Sequence, residues 1–303
     1  MSSAQPAAYA IGIDVGGTKV VAALIECQRG VVRQRHAFAT RAERPGAAVL
    51  ADVVAVAQQL VAESPDGGRT PIGIGVAELV GPDGTITSGH TIAWNGLRLA
   101  QAFGHSAPVV VESDVRAHAR AEAALGAGHG YKSFVFVTIG TGISNCLVQD
   151  GEPWRGAQGN ALVLATGVQT FYHAEMSAPT RFDLEGFASG AGLAARYALA
   201  SGQPVARAEV VLAAAEAGDK QATQIVASAA TALGSALGWL VNVLDPHAIV
   251  VGGGLGSAPG RYWEVLLAAT RAHIWATGSR DLPIVQAALG ADAGVIGAAL
   301  SAF

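Results

Sequence analysis

Three glycine turns, each at the end of an apolar β-like run, constrain this chain more than any other feature. Asp14-Val-Gly-Gly-Thr-Lys19 closes the run Ala8-Tyr-Ala-Ile-Gly-Ile-Asp-Val15, Gly140-Thr-Gly142 closes 134–139, and Gly252-Gly-Gly254 closes 248–251. Adjacent glycines let backbone N–H groups approach an anionic oxygen closely, because no Cβ stands in the way. Each turn alone has a plain hairpin or loop as its alternative reading. Three of them at strand ends point to a layered α/β chain able to cradle an extended polyanion.

The rest of the chain fits that class. Half of it is hydrophobic (51%), only 14% is charged, and 39 glycines serve 303 residues, so small aliphatics build the interior. This length supports two lobes with separate cores. The net charge of −4 gives no basic field for nucleic acid. Two cysteines, Cys27 and Cys146, make no disulfide framework. The N-terminal residues lack the basic and apolar regions of a secretory signal, and the longest apolar windows are interrupted before ~20 residues. The expectation is a cytoplasmic protein with no membrane partner.

Strand-like stretches are expected at 20–26, 31–38, 71–76, 108–112, 134–139 and 146–149, the last turning at Asp150-Gly151 into a hairpin. Helical periodicity marks 47–63, 117–125, 186–199, 206–216, 220–243, 261–277 and 293–302, while 166–180 has a weak pattern and reads as a loop. A strand, a glycine turn and a hairpin occur near residue 11 and again near 134, which suggests two lobes with similar β cores.

Asp14, at its strand's C-terminal end, can hold a hydrated Mg2+ beside phosphates, and Thr18 adds a hydroxyl donor. Asp114 is either a general base or the N-cap of the helix that follows it. These residues alone leave the two even.

The motifs resemble the ROK family (repressors, open reading frames, kinases) over nearly the whole chain. The segments are Ile11-Gly-Ile-Asp-Val-Gly-Gly-Thr-Lys19, Gly73-Ile-Gly-Val-Ala77, Glu112-Ser-Asp114, Gly126-Ala-Gly-His-Gly130, Thr138-Ile-Gly-Thr-Gly142, Arg155-Gly-Ala-Gln-Gly159, Leu184-Glu185 with Ala188-Ser-Gly190, Asp245-Pro246 with Gly252-Gly-Gly254, and Leu289-Gly-Ala-Asp-Ala-Gly294. The resemblance implies a two-lobe actin/hexokinase-like (ribonuclease H-like) α/β fold with an ATP cleft between lobes. The small lobe would span 1–115 with the C-terminal helix 292–303 packing back on it, and the large lobe 116–291.

It also implies an ATP- and Mg2+-dependent hexose kinase acting on the 6-hydroxyl, with Asp114 as base. Asp14, Gly16, Gly17, Thr18, Lys19, Thr138, Gly140, Thr141, Gly142, Gly253 and Gly254 are the implied nucleotide residues, Asp14 holding Mg2+ through water. The first motif starts at residue 11, so the kinase branch is expected rather than a repressor with a preceding DNA-binding domain. The resemblance further implies a homodimer through the large lobe. The apolar stretch 220–243 is either that surface or simple core.

Several positions depart from the family pattern. Aligned without gaps from Gly156, the family's zinc-binding His and three Cys become Thr166, Met176, Ala178 and Asp183, and a sugar-contacting Glu becomes Val163, while Glu185 is kept. Zn2+ takes about four N or S ligands, His173 alone cannot rebuild the set, and no zinc site is expected. A Pro-Gly becomes Ala77-Glu78, and a Pro-Asn becomes Gly89-His90. A carboxylate 4 Å from a cation gains about 4 kcal/mol at an effective dielectric of 20, before desolvation. Glu78 thereby points to an amino hexose such as kanosamine, with Glu78, His90, Ser113, Asp114, Gly142, Thr166 and Glu185 around the sugar. Glu78 as a solvated loop charge is the bland alternative. A glucokinase, a C7-cyclitol kinase, a non-catalytic sugar sensor and a partner-binding scaffold are the rival readings.

Overall fold

A computed structural model of the chain describes residues 9–104, 108–161, 163–171 and 180–303. Its contacts divide into two units: Met1–Lys132 with Val148–Ala161 and Ala288–Phe303, and Ser133–Leu147 with Leu162–Ala287.

The first unit holds β1 (Tyr9–Val15), β2 (Lys19–Glu26), β3 (Val31–Ala39), α1 (Gly46–Glu63), β4 (Ile72–Val76), β5 (Val109–Ser113), α2 (Asp114–Leu125) and the terminal α8 (Ala293–Leu300). Its sheet runs β3-β2-β1-β4-β5, antiparallel through the first three strands and parallel from β1 to β5. Alternation along β1 sorts its two faces. Ile11, Ile13 and Val15 join the core cluster that includes Val49, Val53 and Leu60 of α1, whereas Ala10 joins Val295, Ile296 and Ala299 of α8. The α8 face is made of small residues for a reason. A Cβ on Gly12 would lie 1.8 Å from the Val295 carbonyl oxygen, and one on Gly73 would lie 1.6 Å from that of Ala298. These two motif glycines dock a helix backbone.

The second unit is built on β6 (Ser133–Ile139), β7 (Ile143–Gln149), β11 (Ala248–Gly252) and β12 (Ile284–Gln286), with β9 (Val168–Phe171), β10 (Thr180–Asp183), α3 (Leu184–Ala188), α4 (Gly190–Ser201), α5 (Ala208–Glu216), α6 (Lys220–Leu244) and α7 (Arg261–His273). The sheet that carries β12, β11, β6 and β7, in that order, ends on β8, Glu152–Pro153, whose residues fall in the stretch 148–161. Read from the hairpin side, both sheets have the same order: third, second, first, fourth and fifth strand. The recurrence seen in the sequence is therefore a duplication of topology. The Asp150-Gly151 turn has φ of +51° and +83°, as a two-residue type I′ hairpin requires.

Helix α6 buries Ile225, Ala229, Leu233, Leu237 and Val241 at four-residue spacing. Asp219 caps its start by accepting from Ala222 N at 2.9 Å, and Asp245 ends it in the left-handed region just before Pro246. By length and composition α1 and α6 could each cross a membrane, but 61% of the α6 window is buried inside the fold, as in a core helix. Trp239 and Val243 near its end are exposed.

Four expectations need correction. The break lies after Lys132, not after 115, because α2 packs along α8: a Cβ on Gly297 would sit 1.7 Å from the Ala117 carbonyl oxygen. The stretch 166–180 contains β9, which pairs antiparallel with β10 beginning at Thr180. The helix expected at 186–199 is two helices, since Ser189 is extended and its side chain accepts from Gly192 N to start α4. The helix expected to reach 277 stops at His273, and the short strand β12 follows unforeseen.

Candidate active site

Parallel pairing aligns Val15 with Val76 and Val76 with Ser113, so β1, β4 and β5 end at one edge of the first sheet. Asp14, Glu78 and Asp114 leave the sheet there, the C-terminal edge where α/β proteins gather their ligand-binding groups. Ser113 occupies the N-cap of α2 and makes no side-chain cap bond, so Asp114 is the first helical residue and not the cap itself. Its Oδ1 accepts from Val115 N at 2.6 Å.

Burial pushes the Asp114 carboxyl up from 3.8 to about 6; His118 opposes the rise, Asp14 adds to it, the Val115 N–H opposes it and Glu78 adds to it. Burial also raises Asp14, against His118 and Lys19. His118 was not singled out in the sequence, though it lies one helical turn from Asp114. Its Nδ1 pairs with the Asp114 carbonyl oxygen at 2.8 Å. A Cβ on Gly294 would lie 2.4 Å from Asp14 Oδ2 and 2.9 Å from His118 Cε1, so carboxylate and imidazole meet over that glycine. The i, i+4 spacing of His118 and Asp114 was the available signal.

A buried ion network holds the start of α2. Glu112 Oε1 accepts from Ser113 N at 2.9 Å and from Arg116 Nε, while Oε2 accepts from Arg155 Nη2 at 2.7 Å and Nε at 3.1 Å. Arg116 donates onward to the carbonyls of Gly159 and Val80, each at 2.8 Å. Both Glu112 and Arg116 are buried, so their mutual pairing is what makes their burial tolerable. Nothing local in the sequence announces it, since its bonded partners are up to 43 residues apart. Beside it the Ser113 hydroxyl is buried without a partner among the described residues. Such a group in a native fold calls for an explanation, and a bound hydroxyl or water is one.

Glu78 is not the free carboxylate expected. It is 6% exposed, and its oxygens accept from Thr91 N at 2.7 Å, Ile92 N at 2.8 Å, His90 N at 3.0 Å and the Ser88 hydroxyl. Four donors fill the roughly four lone-pair positions of a carboxylate, which leaves none for a ligand cation. His90 is exposed on the same loop. The turn at Gly16 and Gly17 is closed by Gly16 N donating to the Lys19 carbonyl at 3.0 Å and by Thr40 Oγ1 donating to the Gly16 carbonyl at 2.6 Å; Thr18 and Lys19 are exposed.

In the second unit Thr138 pairs with Gly252 across β6 and β11. Gly253, at φ +82°, packs against the Ile139 carbonyl, which also accepts from Leu255 N and Gly256 N. The third glycine cluster is thereby brought beside Gly140, and Gly254 has open space where a Cβ would point. Gly140 N donates to the Gly142 carbonyl at 2.9 Å, and the first amides of α4, Gly190 and Ala191, donate to the carbonyls of Gly140 and Thr141. Glu185 Oε2 accepts from Ile143 N at 2.8 Å, and a Cβ on Gly142 would lie 2.5 Å from it. Glu185 N also donates to the carbonyl of Ala165, next to exposed Thr166, so Gly142, Thr166 and Glu185 come together.

Of the positions aligned with zinc ligands, Asp183 caps α3 by accepting from Gly186 N, and Thr166 is an exposed turn residue. Met176, Ala178 and nearby His173 lie outside the described residues. Among the described residues no three His, Cys, Asp or Glu side chains form a group that could hold a metal ion.

The chain is similar to the bifunctional enzyme NanE/NanK of Brucella melitensis, with 35% identity over 98% of this chain and 54% of that protein. It thus spans about half the length of that curated relative. It is 31% identical to the N-acetylgalactosamine kinase AgaK of Shewanella sp., over 95% of each chain. Among solved structures, a ROK family glucokinase from Streptomyces griseus in complex with glucose and AMPPNP superimposes with a TM-score of 0.78 at 25% identity, covering 97% of this chain and 98% of that one. The duplicated two-sheet architecture is accordingly the actin/hexokinase-like fold. The ROK family model matches residues 10–302, and the chain belongs to the ROK family.

Proposed function

We propose that this protein is an ATP-dependent kinase that phosphorylates the 6-hydroxyl of a hexose, with Asp114 as the general base. The observation that carries this reading is the Asp114 carboxyl, pushed up to about 6 beside Asp14 at the C-terminal edge of the first sheet. A base poised near the working pH can both be ionised and take a proton effectively. Phosphoryl transfer asks little else of a protein than positioning and charge neutralisation.

Bound MgATP supplies the transferable phosphoryl group. Asp14 is assigned to the hydrated Mg2+, for which a half-buried carboxylate at a strand end is a fitting donor. Gly16, Gly17, Thr18, Lys19, Thr138, Gly140, Thr141, Gly142, Gly253 and Gly254 are assigned to the nucleotide. Ser113, whose hydroxyl has no partner among the described residues, is assigned to the sugar with Asp114, His90, Gly142, Thr166 and Glu185. Glu78 is removed from the contact set.

The acceptor we favour is an amino hexose in its N-acylated form, with free kanosamine as the cationic alternative that the screen includes. Support comes from Val163 and Thr166, which stand exposed where many family members carry Glu and His, and from the AgaK relative. With Glu78 saturated, a cationic substituent gains no special attraction there. We further propose a cytoplasmic homodimer, for which exposed Trp239, Val243 and Trp275 offer apolar surface; light scattering tests it. A coupled ATP-consumption screen over hexoses, amino hexoses, N-acyl hexosamines and cyclitols tests the main reading. ATP turnover that no acceptor stimulates would remove it in favour of a sugar sensor.

A further inference from the structure

The segment 88–92 lies outside any strand or helix, so its amides have no ladder to join. Three consecutive ones, of His90, Thr91 and Ile92, converge on the Glu78 carboxylate, and the Ser88 hydroxyl completes the set. Successive N–H groups facing one anion form a nest, and here the anion is the chain's own side chain. Thr91 adds a bond from its Oγ1 to the Ala77 carbonyl at 3.2 Å. Its methyl Cγ2 lies 2.7 Å from where a Cβ on Gly17 would stand, so the loop bears directly on the Gly16-Gly17 turn. His90 is exposed on the same five residues.

A buried carboxylate is a costly way to hold a short loop, because it must be desolvated first. A hydrophobic staple or a proline would hold it more cheaply. We propose that Glu78 is a positioning residue for the transfer reaction, locking the 88–92 loop so that His90 is presented to the acceptor while Thr91 rests against the Gly16-Gly17 turn. This inference rests on the kinase reading above. Through Thr91, nucleotide held by that turn tightens the loop, and through the loop the acceptor site is ordered.

Glu78→Gln keeps the side-chain shape but replaces one acceptor oxygen with an amino group, so two of the four donors lose their partner. Amide hydrogen exchange over 88–92, with and without AMPPNP, is read alongside steady-state kinetics for both substrates. The wild type is expected to gain protection at 88–92 when AMPPNP binds. In the variant, exchange there rises about tenfold, the AMPPNP-dependent gain is lost, and acceptor KM rises about tenfold with a smaller change in MgATP KM. A loosened loop with wild-type KM and kcat would overturn the proposal, since Glu78 would then be structural only.

If the wild type phosphorylates no acceptor, the kinase reading fails by itself. The exchange arm still decides Glu78, because AMPPNP leaving 88–92 unprotected in the wild type overturns the coupling. Should the Gln variant not fold, Thr91→Ser removes only the methyl group that meets Gly17. Retention of the full AMPPNP-dependent protection in that variant overturns the proposal equally.

Discussion

Replacing Asp114 by Asn should make the protein more stable and nearly inactive at once. Burial lifts the carboxyl from 3.8 to about 6, and a rise of that size corresponds to about 3 kcal/mol against the ionised native state at neutral pH. Between those two values the native protein binds more protons than the unfolded chain, so stability falls as the pH rises through that window and the cost is constant above it. Asn is neutral at every pH and its Oδ1 can still accept from Val115 N. Asp114→Asn is therefore expected to gain at most about 3 kcal/mol at pH 7.5, a gain that shrinks as the pH drops from 6 towards 3.8.

The opposing effect is small. A carboxylate in the first turn of a helix gains about 0.3–1 kcal/mol from the dipole, so a purely structural Asp114 predicts a loss of that order. Loss of the base should cut kcat by about 10²–10⁴-fold. Urea unfolding at several pH values and the coupled kinase assay give both numbers. A variant less stable than wild type at pH 7.5, or one that keeps its turnover, would refute the reasoning.

Three further outcomes follow from the same geometry. The acceptor kcat/KM should fall below a limb centred near pH 6, and His118→Ala should move that limb upwards, because the imidazole favours ionised Asp114; an unmoved limb in a pH–rate profile contradicts this. Gly297→Ala drives a methyl to 1.7 Å from the Ala117 carbonyl oxygen, so it should cost about 1–3 kcal/mol in urea unfolding, and a change within about 0.5 kcal/mol would show that α2 and α8 can part. Dialysis against a chelator should leave Tm unchanged, with Mg2+ alone restoring turnover; zinc found in equimolar amount by elemental analysis would sink the zinc-free reading.

The glycine turns and most elements were legible because their signals are local. Asp14 stands at the end of an apolar run that Gly16 and Gly17 follow, Asp150-Gly151 is one of the dipeptides a type I′ turn prefers, and α6 repeats its buried residues every fourth position. The weak stretch 166–180 was not legible, since a short strand pair such as β9 and β10 owes its form to pairing rather than to propensity. The candidate site was legible only as single residues. Asp14 and Asp114 could be named, but the meeting of Asp14 with His118 needs Gly294 of α8, at the far end of the chain.

What the sequence by itself determined is the α/β class, the duplicated strand-turn-hairpin pattern and the identity of the acidic and glycine residues, all set by periodicity and backbone sterics within a few residues. Only the tertiary structure decided what the charges do. Glu78 looks like a ligand for a cation until three amides from a loop twelve to fourteen residues away are seen to fill it. Glu112 looks like part of a motif until Arg116 and Arg155 close on it. A carboxylate's role depends on which donors reach it and how much water is left around it, and those are properties of packing, not of the residue or its neighbours in sequence.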